Sequence, residues 1–163
     1  MPDVQSSITD LLRVGDLFDQ VDAAGADWNA EANEDTALDL VIAAAQQRVQ
    51  LSIQRTLAEI SRIVGIPEQK GFPSRHQTLW TSARVIIETL ENGKDISTHE
   101  EGQLLLLLAR LVVKMRINGS RPKPSFFDRA LNLLKPNQLR FQQDEKETIK
   151  KAVTYLEGES YRL

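Results

Sequence analysis

The sequence contains no cysteine. That single absence excludes disulfides, thiolate metal sites and cysteine nucleophiles, and it suits a reducing compartment. Histidine is nearly as scarce. His76 and His99 stand far apart without metal-ligand spacing, the first near a helix start and the second in a first helical turn beside Glu100 and Glu101. Both read as surface or capping residues rather than ligands. There is no Gly-rich phosphate loop of either common type, no nucleophile elbow and no paired-histidine zinc helix. Long apolar runs are missing too. The longest, Leu104 to Val113, is interrupted by Arg110, whereas a membrane-spanning helix needs about 20 apolar residues. The first residues, MPDVQSSITDLLRVGDLFDQ, lack a basic region followed by an apolar core and so do not read as a secretory signal. No catalytic residue, metal or cofactor is expected, and no membrane partner. The expected location is cytoplasmic, in a cell's own protein or in one of viral or phage origin.

Helical periodicity is what the sequence has in abundance. Ser6 and Ser7 precede Ile8, Leu11, Leu12, Leu17 and Phe18, a short amphipathic helix. The acidic, Ala-rich stretch DQVDAAGADWNAEANED has no stable period and reads as a linker or frayed turn. From Asp35 to Val64, apolar residues recur at helical spacing through Leu38, Val41, Ile42, Ala45, Val49, Ile53, Leu57 and Ile60. Asp35 and Thr36 are suited to start that helix, and Gly65 with Pro67 to stop it. Further helices are expected over about Arg75–Glu91, closed by Asn92 and Gly93, and from a capping box at Thr98 and Glu101 to about Ile117. Two more follow, from about Ser125 to Leu134 and from about Asp144 to Glu157. The expected fold is an all-α bundle of about six helices, one of roughly 30 residues. Its expected organisation is an acidic N-terminal arm with a short helix over residues 1–33 and a helical bundle domain over 34–163.

The Leu-rich helix predicts its own surroundings. At 100° per residue, Leu104, Leu105, Leu108, Leu111, Val112 and Met115 fill one broad arc, as in a central bundle helix with several neighbours. Gln103, Arg110 and Lys114 share the opposite stripe, with Leu106 and Leu107 beside them. Those two leucines imply an extra neighbour or a dimer contact.

Charge is unevenly distributed. Residues 1–47 carry ten acids and one base, whereas residues 110–140 carry eight bases and one acid. Such polarity points to nucleic-acid contact, to head-to-tail self-association, or to an acidic arm folded over the chain's own basic face. The candidate polyanion-binding residues are Arg110, Lys114, Arg116, Arg121, Lys123, Arg129 and Arg140, which would neutralise phosphates without reading sequence. Ser125 and the helix start beside it would add donors to an anion, and Phe126 and Phe127 would stack on bases if exposed. Alternatively these cations are solvated helix ends and the phenylalanines are core; Lys114 and Arg116 suit a helix C-terminus for dipole reasons alone.

Two carboxylate pairs need separate treatment. Glu88 and Glu91 form an E-x-x-E pair on one helical face, and Asp35 with Asp39 form an i, i+4 pair. Meeting between antiparallel helices, such pairs would hold Mg²⁺ for work on a nucleoside triphosphate. The arrangement resembles that of the MazG-like all-α nucleotide pyrophosphatases. A local resemblance to phage members of that group runs from Phe72 to about Leu134. It rests on the Phe72–Trp80 spacing, the apolar helix bearing Arg110 and Lys114, the Asn118-Gly119 turn, and Asp128 after a proline-containing loop. The middle helix, LLLLLARLVVK, departs from the pattern because it offers no second acidic pair. The long helix carries a polar flank of Gln46, Gln47, Gln50 and Gln54, suited either to solvent or to a helix–helix contact in an oligomer. Trp28, a large aromatic in acidic surroundings, suits a partner or the chain's own core. The leading expectation is a non-enzymatic helical interaction or assembly module, such as a small subunit of a nucleoprotein complex, its basic 110–140 face open to nucleic acid or another polyanion. Its partners would be that polyanion, another protein or further copies of itself. The alternative is a MazG-like Mg²⁺-dependent nucleotide pyrophosphatase, active or degenerate, using Glu88 and Glu91 with Asp35, Asp39 or Glu101.

Overall fold

The computed structural model describes residues 4–34, 39–67, 74–93, 95–117 and 124–160, with side chains from residue 8 to 24 and, in the described segments from residue 45 onward, at all but 117, 124, 159 and 160. Every element among them is helical: α1 (Val4–Leu12), α2 (Val14–Glu34), α3 (Asp39–Val64), α4 (Arg75–Asn92), α5 (Thr98–Ile117), α6 (Pro124–Leu134), a 3-10 helix η1 (Lys135–Arg140) and α7 (Gln143–Ser160). The all-α expectation is met. The long helix, α3, has 26 described residues; its expected start at Asp35 and Thr36 lies outside the described residues.

Local chemistry sets most boundaries. Gly65, at φ 80°, ends α3 in the left-handed conformation that glycine adopts without a Cβ clash. The amide of Ile66 then donates to the Ser61 carbonyl at 2.9 Å, closing a Schellman-type cap. Ser74 caps α4 by accepting from the Gln77 amide at 3.0 Å, and Gly93 closes it. The capping box of α5 lies one residue upstream of its expected position. Ser97 Oγ accepts from the Glu100 amide, and Glu100 Oε1 accepts from the Ser97 amide, both at 3.1 Å. Two overlapping hydroxyl-x-x-glutamate frames compete here, and the choice of Ser97 leaves Glu101 available for other work.

The acidic stretch expected as a linker is helical: α2 runs through it to Glu34. Its apolar residues Val14, Leu17, Phe18 and Val21 are buried in the same core as α1's Ile8 and Leu11. Its alanines and glutamates favour helix, its aspartates and Gly25 do not, and packing against α3 supplies what periodicity lacks.

Helix α5 is the hub, touching α1, α2, α4, α6 and α7. Leu104, Leu105, Leu108, Leu111, Val112 and Met115 are at most 1% exposed, as the broad arc requires. For Leu107 the implied extra neighbour is α2, and Leu106 is partly buried against the core. Leu107 is buried, and a Cβ placed on Gly15 of α2 would lie only 2.8 Å from Leu107 Cδ1 and 2.7 Å from Arg110 Nη1. Gly15 therefore allows the two helices to approach closely.

Two glycine substitutions test this packing in opposite directions. Gly15→Val overpacks the α2–α5 contact and should destabilise by roughly 1–3 kcal/mol. Gly102, within α5, would place a new Cβ no closer than 3.9 Å to Arg140 Nη2. Gly102→Ala should therefore stabilise by about 0.5–1 kcal/mol through helix propensity. Urea unfolding measures both; equal effects of the two changes would contradict the close approach.

Candidate functional site

Five of the seven candidate cations have described side chains, and four of those hold carboxylates of their own chain. On α2, Gly15, Asp19 and Asp22 follow one another at i, i+4 and i+7, a single helical stripe. That stripe meets Arg110 and Lys114 on α5, themselves i and i+4. Arg110 Nη2 donates to Asp19 Oδ2 at 2.5 Å. Lys114 Nζ donates to Asp19 Oδ1 at 3.1 Å and to Asp22 Oδ2 at 2.5 Å. Arg75, the first residue of α4, donates to the other oxygen of Asp22. Three helices are thus joined through two aspartates. The Lys114 side chain is only 15% exposed, so its ammonium is largely removed from water and depends on this pair of anions.

Arg129 and Arg140 are engaged elsewhere. Arg129 of α6 grips Glu91 of α4 as a fork, Nε to Oε2 at 3.1 Å and Nη2 to Oε1 at 2.5 Å. This bidentate hydrogen bond holds the Glu91 carboxyl below its ordinary range, against a smaller opposing effect of burial. Arg140 of η1 donates to Glu101 and to the Thr98 carbonyl, the latter at 2.7 Å. Arg116 is exposed near the end of α5. Arg121 and Lys123 lie outside the described residues. The described cations do not converge on one patch. Arg140 sits beside Thr98 at the start of α5, whereas Lys114 lies about 24 Å further along the same helix.

The aromatic residues also face inward. Phe126 and Phe127 are each 4% exposed, so neither offers a stacking platform. They continue a chain of ring contacts from Trp80 through Phe126 at 5.1 Å and Phe127 at 6.2 Å to Tyr155 at 6.5 Å. This chain ties α4, α6 and α7 together. Beside Trp80 an open cavity of about 280 Å³ lies between α4 and α6, lined by Trp80, Thr81, Arg84, Ser125, Phe126 and Arg129. The Trp28 side chain lies outside those described.

The carboxylates of the hydrolase alternative are similarly placed. Glu91 holds Arg129, Glu101 holds Arg140, and Glu88 lies 4.0 Å from Arg84. Asp35 is outside the described residues, as is the Asp39 side chain. His76 and His99 are both exposed, on different helices. Among the described residues no group of three acids or histidines is placed to hold a metal ion, and no helix is long and apolar enough to cross a membrane. The sequence marks Glu91 and Glu101 for other roles, as a metal-ligand candidate and a capping residue, and does not single out Asp19 and Asp22, although an acidic arm folded over the basic face is one of its readings. The surplus of acid on α2 was the available signal.

The Arg129 fork has a pH signature. Because folding favours ionised Glu91, the pair contributes fully above the ordinary glutamate value of about 4.3. That contribution is lost as pH falls through the lowered value in the folded protein. NMR titration should place the Glu91 midpoint below the ordinary value, and Arg129→Ala should return it there. A Glu91 midpoint unmoved by Arg129→Ala would contradict the fork.

Comparison with protein-family models, with curated proteins and with solved structures found no match to this chain.

Proposed function

We propose that this protein is a non-enzymatic helical interaction module whose receiving surface is the outer side of α3. The observation that carries this reading is the stretch between Ala45 and Leu57, where no α3 residue is fully buried. Arg48, Leu51, Ser52 and Arg55 are all exposed there, at i, i+3, i+4 and i+7. Leu51 is 41% exposed, and it is flanked along the stripe by two arginines. An apolar centre between cations fits an amphipathic partner helix with leucine-like residues in its middle and carboxylates on either side. Gln46, Gln47 and Gln50 supply neutral polar contacts at the rim. Rim charges of this kind steer and orient a partner, while the leucine supplies buried apolar area.

The intramolecular pairs of the 110–140 segment support this assignment over polyanion binding. A polyanion would have to displace Asp19, Asp22, Glu91 and Glu101 to recruit Arg110, Lys114, Arg129 and Arg140. Among the described candidates it would engage the exposed Arg116 first. The engagement of Glu91 and Glu101 with arginines likewise supports a bracing role for those carboxylates rather than metal chemistry.

One NMR experiment separates these readings. Isotope-labelled protein is titrated with an acidic amphipathic helical peptide and, separately, with short DNA and RNA. The peptide should shift backbone signals of Arg48 to Arg55, and Leu51→Glu should weaken that response at least tenfold without lowering Tm. The nucleic acids at 150 mM salt should leave the Arg110–Arg140 signals in place. Salt-steep shifts confined to Arg116 and residues 118–123 would replace this reading with polyanion binding.

A further inference from the structure

A second exposed apolar feature lies far from α3. Leu139 is 88% exposed, although the 3-10 turn around it is fastened on both sides. Lys135 pairs with Glu157 at 3.1 Å, and Asn137 Nδ2 donates to the Leu133 carbonyl at 2.7 Å. Arg140 is anchored on Glu101 and on the Thr98 carbonyl. A 3-10 helix has three residues per turn, so Pro136, which is also exposed, falls in line with Leu139 on one edge. The outcome is a small apolar ridge held in a fixed position by polar clamps. Its presentation costs little further ordering on binding.

The same chain carries a cavity suited to that ridge. The space of about 280 Å³ beside Trp80 and Phe126 is larger than a leucine side chain and has two aromatic walls. At its rim Arg84 is 57% exposed, with its nearest carboxylate, Glu88, at 4.0 Å, the limit of an ion pair. Next to the ridge, Asp144 and Glu145 open α7, both exposed. The apolar shapes and the rim charges are therefore complementary. They also lie at opposite ends of α6. The cavity is built on its first residues and η1 continues from its last, with about 12 Å of helix between Phe126 and Leu134. This separation places the ridge away from its own cavity.

We propose that copies of this chain associate head to tail, with the Pro136–Leu139 ridge of one seated in the Trp80–Phe126 cavity of the next and Arg84 meeting Asp144 or Glu145. Such a contact uses two different surfaces, so it propagates from copy to copy instead of closing as a two-fold dimer. It deepens the assembly aspect of the proposed function while using a face distinct from α3. A contact this small gives a dissociation constant on the order of 0.1–1 mM.

Sedimentation velocity on the full chain over ~0.05–2 mM tests this. The wild-type mass average should climb with concentration past that of a dimer. Leu139→Asp removes the ridge and Thr81→Trp fills the cavity; each should remain monomeric at unchanged Tm. Mixed in equal amounts, the two variants should form a dimer and nothing larger, since one keeps a working cavity and the other a working ridge. Arg84→Glu, which sets like charges against Asp144 and Glu145, should weaken association about tenfold. A wild-type protein that stays monomeric throughout overturns the proposal, as does a folded mixture that forms no dimer. Association abolished by Leu51→Glu but kept by Leu139→Asp would move self-contact to α3, sinking the ridge-and-cavity proposal while sparing the interaction module.

Discussion

The ammonium of Lys114 between Asp19 and Asp22 is the interaction on which the arrangement of the other helices turns. Helix α5 is apolar around most of its circumference yet carries two cations on its remaining stripe. An apolar neighbour laid over that stripe would strand both charges away from water, at a cost of several kcal/mol each. An acidic helix with a glycine at the closest approach solves both problems together. Asp19 and Asp22 neutralise the cations, and Gly15 lets Leu107 be covered as well. Arg75 shares Asp22, which ties the start of α4 to the same point. The charge separation along the sequence is, in this part of the fold, two halves of one internal contact.

The remaining cations follow the same pattern on other helix pairs. Arg129 joins α6 to α4 and Arg140 joins η1 to the start of α5. Exposed ion pairs add little stability singly, typically less than about 1 kcal/mol. Their value here is in position. Arg140 fixes the turn that displays Leu139, and Arg129 closes one side of the cavity beside Trp80. The polar pairs hold the ridge and border the cavity; among the described residues those two features and the α3 stripe are the surfaces on which the proposed contacts rest.

Much of the fold was legible in the sequence because helical periodicity and capping are local. The arc of α5, the Gly65 and Gly93 stops and the order of the C-terminal helices could be read from neighbouring residues. Acidic α2 escaped because beyond Val21 its alanines and the single Trp28 show no stable helical period, and its contact with α3 is not a local signal. The α5 start was displaced by one residue because Ser97 and Thr98 both precede a glutamate at the right spacing. The site was legible as a list of cations and as a charge polarity that allowed the acidic segment to fold over them, without the residue pairs. Pairing Lys114 with Asp22 spans 92 residues, and no local pattern encodes it. Leu139 went unnoticed because one leucine in the polar run KPNQLR has no period to reveal it, and its importance comes from exposure.

A double-mutant cycle on Lys114 and Asp22 tests the central claim most directly. Lys114→Met, Asp22→Asn and the double variant are compared with wild type by urea unfolding at 0.1 and 1 M salt. The account predicts a favourable coupling of roughly 1–2 kcal/mol, larger than an exposed pair gives and only partly lost at high salt because Lys114 is shielded. Additive effects with no coupling, together with new salt-dependent binding of nucleic acid by the Asp22→Asn protein, would contradict it. The basic stripe of α5 would then be a working surface that α2 merely covers.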